Sequence, residues 1–309
     1  MTSAQPLLTV LKNGSLKPSS APIWKQFWDI VTHERVLLLP WERIFSTQWM
    51  KDQQVVGLMA LGCVPFLFYV LPSNALCYFG FAAYFSVLWA LFFFSVFKTP
   101  QANRRDAMTV FFQTPVIAML VISVARVIPP FTALYYQADH GTLLFRIIGN
   151  FLSVGLIEEA CKAAPVFMQA RKPGRLLQPK TAMLYGMLSG LGFGIFEGIE
   201  YQLGVNRGQG VDQAYFLNVL RLTSLPFFHA IWAGISGYFI GFSMLHGSKR
   251  WPLRIIAIVF PATLHAFYNS FSGFVSFLIA ACSVVLLMSY LSVGQLIHSS
   301  LKAHGTNSP

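Results

Sequence analysis

Apolar residues run along this chain in blocks of about twenty, and short polar or basic connections close each block. About 20 apolar residues in helical form cross the hydrocarbon core of a bilayer. The pattern therefore predicts eight membrane spans, near residues 55–73, 77–97, 109–132, 145–168, 181–203, 215–245, 254–272 and 275–297. The sixth block is too long for one straight span, and Pro226 is expected to separate a short outer helix from the main one. Only Ser272, Gly273 and Phe274 divide the last two.

Composition agrees with this pattern. Hydrophobic residues make up 55% of the 309 positions and charged residues 11%, more apolar surface than a soluble domain of this size can hide. The expected fold is an all-α polytopic transmembrane bundle. Its expected segments are a tail with an interfacial helix (1–54), three accessory spans (55–144), a core of chemically active spans (145–297) and a C-terminal tail (298–309). Trp24, Phe27, Trp28 and Val31 fall at helical spacing in the first segment, as in a helix lying on the membrane surface. No charged start, apolar run and cleavage site of a signal peptide is recognisable there.

Charge adds an orientation. Six basic residues precede the first span, and the alternate connections carry Lys98, Arg104 and Arg105, then Arg171, Lys172, Arg175 and Lys180, then Lys249, Arg250 and Arg254; the opposite connections carry only Arg207. This asymmetry predicts both termini in the cytoplasm. It also accounts for the net charge of +11 through topology and anionic lipid, so nucleic acid is not an expected partner. Cys63, Cys77, Cys161 and Cys282 are scattered without a CxxC pair and read as packing residues.

Within the apolar blocks a few polar residues stand out, because each charge at lipid depth costs about 2.5 to 3.5 kcal/mol. Glu158 and Glu159 are adjacent in the fourth span, and Lys162 shares a helix face with Glu158. The fifth span carries Phe193, Glu197, Glu200 and Tyr201; the sixth carries Arg221 and His229; the seventh carries His265 and Asn269 four residues apart. Gly186, Gly190, Gly194 and Gly198 form a smooth stripe against which another helix can pack. Arg126 and Arg146 are expected to snorkel toward the outer interface. Carboxylates, histidines, an asparagine and a lysine can together supply a base for water, donors for an oxyanion and a proton for a leaving amine. The same groups could serve as a proton relay in a transporter or channel, or survive in a non-catalytic membrane chaperone or immunity factor. No serine nucleophile elbow, HExxH pair or GxGD aspartate is present, and no single helix shows zinc-ligand spacing.

The segment Glu158-Glu159-Ala160-Cys161-Lys162 resembles the EExxK motif of the PrsW family of glutamic-type intramembrane proteases, relatives of the CAAX-prenyl endopeptidases and bacteriocin-processing membrane proteins. Phe193 to Glu197 is similar to its FxxxE motif, followed by Tyr201; Arg221 with His229, and His265 to Asn269 as HxxxN, resemble the other two. The match runs over about 145–272, and Gly198 departs from the asparagine common after the FxxxE glutamate. The resemblance implies a multi-pass protein of a bacterial cytoplasmic membrane that cleaves a membrane protein, such as an anti-sigma-factor-like regulator, at its outer boundary without a metal or other cofactor. It also implies roles: Glu158 as general base, Glu197 or His229 helping to hold the water, His265 and Asn269 at the oxyanion, and Glu159 and Lys162 setting charge around Glu158.

Overall fold

The computed structural model describes residues 75–97, 99–172, 176–204, 211–245 and 250–303, with isolated positions before them. The expected first span except Cys63 and Val64, and all of residues 1–54 except Pro22 and Lys25, including the rest of the interfacial helix, lie outside that set. The described residues are helical, without strands, and from residue 75 onward they belong to one compact unit, Phe68–Pro309. In chain order the helices are α1 (Ala75–Phe97), α2 (Arg104–Val127), α3 (Pro129–His140), α4 (Leu143–Gly149), a π-helical segment (Asn150–Gly155), α5 (Leu156–Ala170), α6 (Pro179–Leu203), α7 (Val211–Leu245), α8 (Arg250–Ser270) and α9 (Phe274–Ala303).

Six of these, α1, α2, α6, α7, α8 and α9, are long and apolar enough to cross a membrane. The chain is a multi-pass membrane protein. Local chemistry sets the boundaries. Asn103 caps α2 by accepting a hydrogen bond from the Arg105 N–H at 2.8 Å. Pro129 and Pro130 end α2 earlier than the apolar pattern suggests and start α3, where a missing N–H costs nothing. Gly273, at φ 61°, makes the three-residue turn between α8 and α9 that left these two spans hard to separate in the sequence.

Helices α6 and α7 form the centre of the bundle. Leu184, Tyr185, Met187, Leu188 and Leu191 of α6 and Ile231, Ile235 and Tyr238 of α7 are buried in one continuous core. Glycine allows this approach: a Cβ on Gly190 would sit 2.6 Å from the Cα of Ala230. The outer helices turn apolar side chains outward, including Leu91, Phe112, Val116, Leu120, Phe277 and Val285, as a lipid environment requires.

Two features differ from the pattern-based expectation. The fourth block is not one straight helix but α4, a π turn and α5. Helix α7, in turn, runs unbroken through Pro226. The reason is visible beside it: the indole of Trp89 donates to the Thr223 carbonyl at 2.9 Å, three residues before the proline. A proline disturbs the hydrogen bonds of the preceding turn, and a side chain from a neighbouring helix can replace them inside a membrane protein. The same device steadies α5, where Ser189 donates to the Lys162 carbonyl at 2.6 Å, three residues before Pro165.

Candidate functional site

Four helices bring the polar residues together. Just before α5, the π segment re-aims the chain, and its glycine end is gripped by α8, since a Cβ on Gly155 would lie 2.7 Å from the Ala262 carbonyl oxygen. Asn150 adds a hydrogen bond to Ser270 at 3.1 Å. Helix α5 therefore begins in fixed register against α8, with Glu158 and Glu159 in its first turn.

Lys162 is the hub. Fully buried, its Nζ lies 2.8 Å from Glu159 Oε1, 3.4 Å from Glu158 Oε2 and 2.8 Å from His229 Nδ1. The Phe193 ring closes the remaining side, 4.1 Å from Nζ. An ammonium only donates, so His229 accepts at Nδ1 and carries its proton on Nε2, which bonds to the Glu197 carboxylate. His265 Nδ1 lies 3.1 Å from Glu159 Oε1 and 3.9 Å from Glu158 Oε2. The carboxylate cannot donate, so that Nδ1 is protonated.

The two adjacent glutamates differ in access. Glu159 is wholly buried and bound to Lys162 and His265. Glu158 borders a cavity of about 550 Å³ that Phe193, Glu197, Tyr201 and Asn269 also line. One carboxylate is thus part of the scaffold and the other faces a chamber that can hold water and substrate. Asn269 is exposed to this chamber, while His229 and His265 are buried behind it. Glu200 pairs with Arg126 at the chamber wall, so Arg126 is held by a carboxylate instead of extending alone to the interface. Arg146 lines the chamber as well. The side chain of Arg221 lies outside the described residues.

Several neighbours were not singled out in the sequence. Trp232 stacks on His265 with ring centres 4.4 Å apart and donates to Ser283 of α9 at 3.1 Å. Its position, three residues after His229 on the same helix, was the available signal. Asn150 and Tyr135 also line the chamber, and nothing in their spacing announced it.

The donor atoms of Glu158, His229 and His265 lie within 4.8 Å of one another, close enough to surround a metal ion. Lys162 argues against such use. Both ring nitrogens of His229 are engaged, one by the Lys162 ammonium, and a divalent ion at this set would stand beside that buried cation. In this arrangement the residues do not fit a metal; the ammonium already supplies the positive charge.

Comparison with known proteins agrees with the architecture. Residues 105–294, more than half of the chain, match the family model described as PrsW family intramembrane metalloprotease. The chain is 24% identical over 175 residues to Protease PrsW of Shouchella clausii (strain KSM-K16), covering 55% of this chain and 78% of that protein. It is 27% identical over 154 residues to Protease PrsW of Geobacillus kaustophilus (strain HTA426), covering 50% of this chain and 65% of that one. No solved structure matches it. The extent of the family match, across the helices that carry the buried charges, establishes that the chain belongs to the PrsW family of intramembrane proteases.

Proposed function

We propose that the protein is an intramembrane endopeptidase that hydrolyses a peptide bond of a membrane protein with a water activated by Glu158. One observation carries the reading: Glu158 belongs to the buried charge network and also borders the chamber. A water entering the chamber comes within reach of a carboxylate whose partner, Lys162, is fixed by three further contacts. Fixed charges around the reacting groups need no reorganisation as the reaction proceeds.

The other roles follow from position. Glu158 takes the water's proton and returns it to the leaving amine. Glu197, held by His229 and lining the same chamber as Glu158, orients the water. Asn269 donates its amide to the oxyanion, and His265, four residues earlier on the same helix and bound through Nδ1 to Glu159, backs that site. Lys162 and Glu159 are positioning residues. The family description names a metalloprotease, but no step here runs through a metal, since Lys162 occupies the donor set.

The chamber gathers the C-terminal ends of α2, α6 and α8. The basic connections with Arg104, Arg105, Arg171 and Lys172 lie at the other end, where Lys172 pairs with Asp106 at 2.6 Å. By the charge asymmetry the chamber then faces the extracytoplasmic side of a bacterial cytoplasmic membrane, where a substrate such as an anti-sigma-factor-like regulator would be cut near its outer boundary.

The test compares membranes from cells making the wild type or Glu158→Gln at equal levels, by mass spectrometry of protein termini. New termini near outer membrane boundaries in the wild type alone support the reading. An identical set of termini, with both proteins folded, overturns it in favour of a proton relay or a non-catalytic role.

A further inference from the structure

Beyond the catalytic groups, the chamber wall contains two polar atoms whose hydrogen-bonding needs are unmet. Arg146 Nε, on α4, and the Tyr135 hydroxyl, on α3, are both buried and without a hydrogen-bond partner among the described residues, and both residues line the chamber. A buried N–H or O–H left unpaired costs about 1 to 3 kcal/mol. Neither atom has surface open to the chamber as it stands, so each side chain must turn toward an occupant to be satisfied by it. Burial pushes the Tyr135 phenol up to about 12, so its hydroxyl keeps its proton and can donate.

The charges nearby narrow the choice. Arg126 is already neutralised by Glu200. Asp139 lies on the same wall but is exposed and solvated. The chamber floor carries Glu158 and Glu197. Among the described lining residues Arg146 is therefore the cation left for an incoming group, and once turned toward the chamber its planar guanidinium can receive a carboxylate side-on. A lipid phosphate could meet the same donors. Its acyl chains would require an apolar lining, whereas here Arg126, Asp139, Arg146 and Glu200 stand among the apolar lining residues.

We propose that Arg146 and Tyr135 form a subsite for an acidic side chain of the substrate peptide, a few residues from the bond that is cut. The proposal rests on the protease reading. Helix rise places Arg146 about 18 Å from Glu158 along α4 to α5, and an extended peptide covers that in about five residues. The reach of the two side chains shortens the span to roughly three to five residues. The acidic floor repels the same side chain, so the subsite also sets the direction in which the peptide lies.

The experiment sequences new protein termini from membranes containing the wild type, Arg146→Glu, Arg146→Lys, Tyr135→Phe or Glu158→Gln. In the wild type, Glu158-dependent sites should be enriched in Asp or Glu three to five residues from the cut. Arg146→Glu should reduce these sites at least tenfold and raise sites with Lys or Arg at that position, Arg146→Lys should keep the acidic preference, and Tyr135→Phe should weaken it. Cleavage without acidic preference, or a preference unchanged in Arg146→Glu, overturns the subsite while leaving the protease intact. A preference that appears only in membranes rich in anionic lipid also overturns it, assigning Arg146 to a phosphate. Absence of Glu158-dependent termini in the wild type removes the protease reading and this proposal with it.

Discussion

The ammonium of Lys162 lies 2.8 Å from Nδ1 of His229, across the interface between α5 and α7. That contact fixes which nitrogen of His229 carries the proton, and so decides that the ring presents an N–H to Glu197. A residue of the EExxK segment thus determines the state of a histidine on another helix. Removing the charge should be felt in both stability and activity.

Lys162→Met should destabilise the detergent-solubilised protein by about 3 to 5 kcal/mol, the usual effect of stripping one partner from a buried ion pair. It should also abolish cleavage. Thermal unfolding followed by tryptophan fluorescence measures the first effect, and a melting curve matching the wild type would contradict the burial and pairing described here.

Glu158 and Glu159 should separate in mutagenesis although they are neighbours. Glu158→Gln faces the chamber and should fold with nearly native stability while losing cleavage. Glu159→Gln leaves Lys162 and His265 without their shared partner and should lose about 3 kcal/mol of stability or more. Equal melting temperatures for the two variants would refute the division of roles.

Trp232 should act through His265. Trp232→Leu removes the ring stacked on the imidazole, worth about 0.5 to 1.5 kcal/mol, and should lower kcat by about tenfold if that geometry is needed in the transition state. Trp232→Phe keeps a ring and should lose less than about threefold. With a cleaved substrate in hand, a KM change at constant kcat would instead place Trp232 in binding.

Chelation offers a direct comparison with the metalloprotease description. Activity of the purified protein should persist in EDTA and in 1,10-phenanthroline, because the donor set already encloses Lys162. Activity lost on chelation and restored by zinc would show that Lys162 moves aside for a metal.

Much of this was legible in the sequence because charge at lipid depth is costly. Glu158, Lys162, Glu197 and His265 were conspicuous for that reason, and helical spacing put Glu158 and Lys162 on one face. Burial depth was not legible: nothing in the order Glu158-Glu159 says which one faces a chamber, since that depends on the π turn before them and on the contact of Gly155 with α8. Hydropathy also missed that Pro226 could be tolerated, because its compensation comes from Trp89, 134 positions away. The glycine stripe predicts a packing surface, and the structure seats Gly186, Gly190 and Gly194 against α7, with Gly190 on the backbone of His229 itself.

The charges of α5 also constrain how the protein is made. The helical run from Leu143 through the π segment to Ala170 carries Glu158, Glu159 and Lys162, and on insertion scales these three alone disfavour its entry into lipid by on the order of 9 kcal/mol. It cannot partition into a bilayer as an independent segment. It must be held during synthesis until α6, α7 and α8, which supply Phe193, His229 and His265, have emerged and can enclose it. A chain interrupted before His265 would leave its most charged helix without a membrane position, and quality-control proteases would meet that helix first.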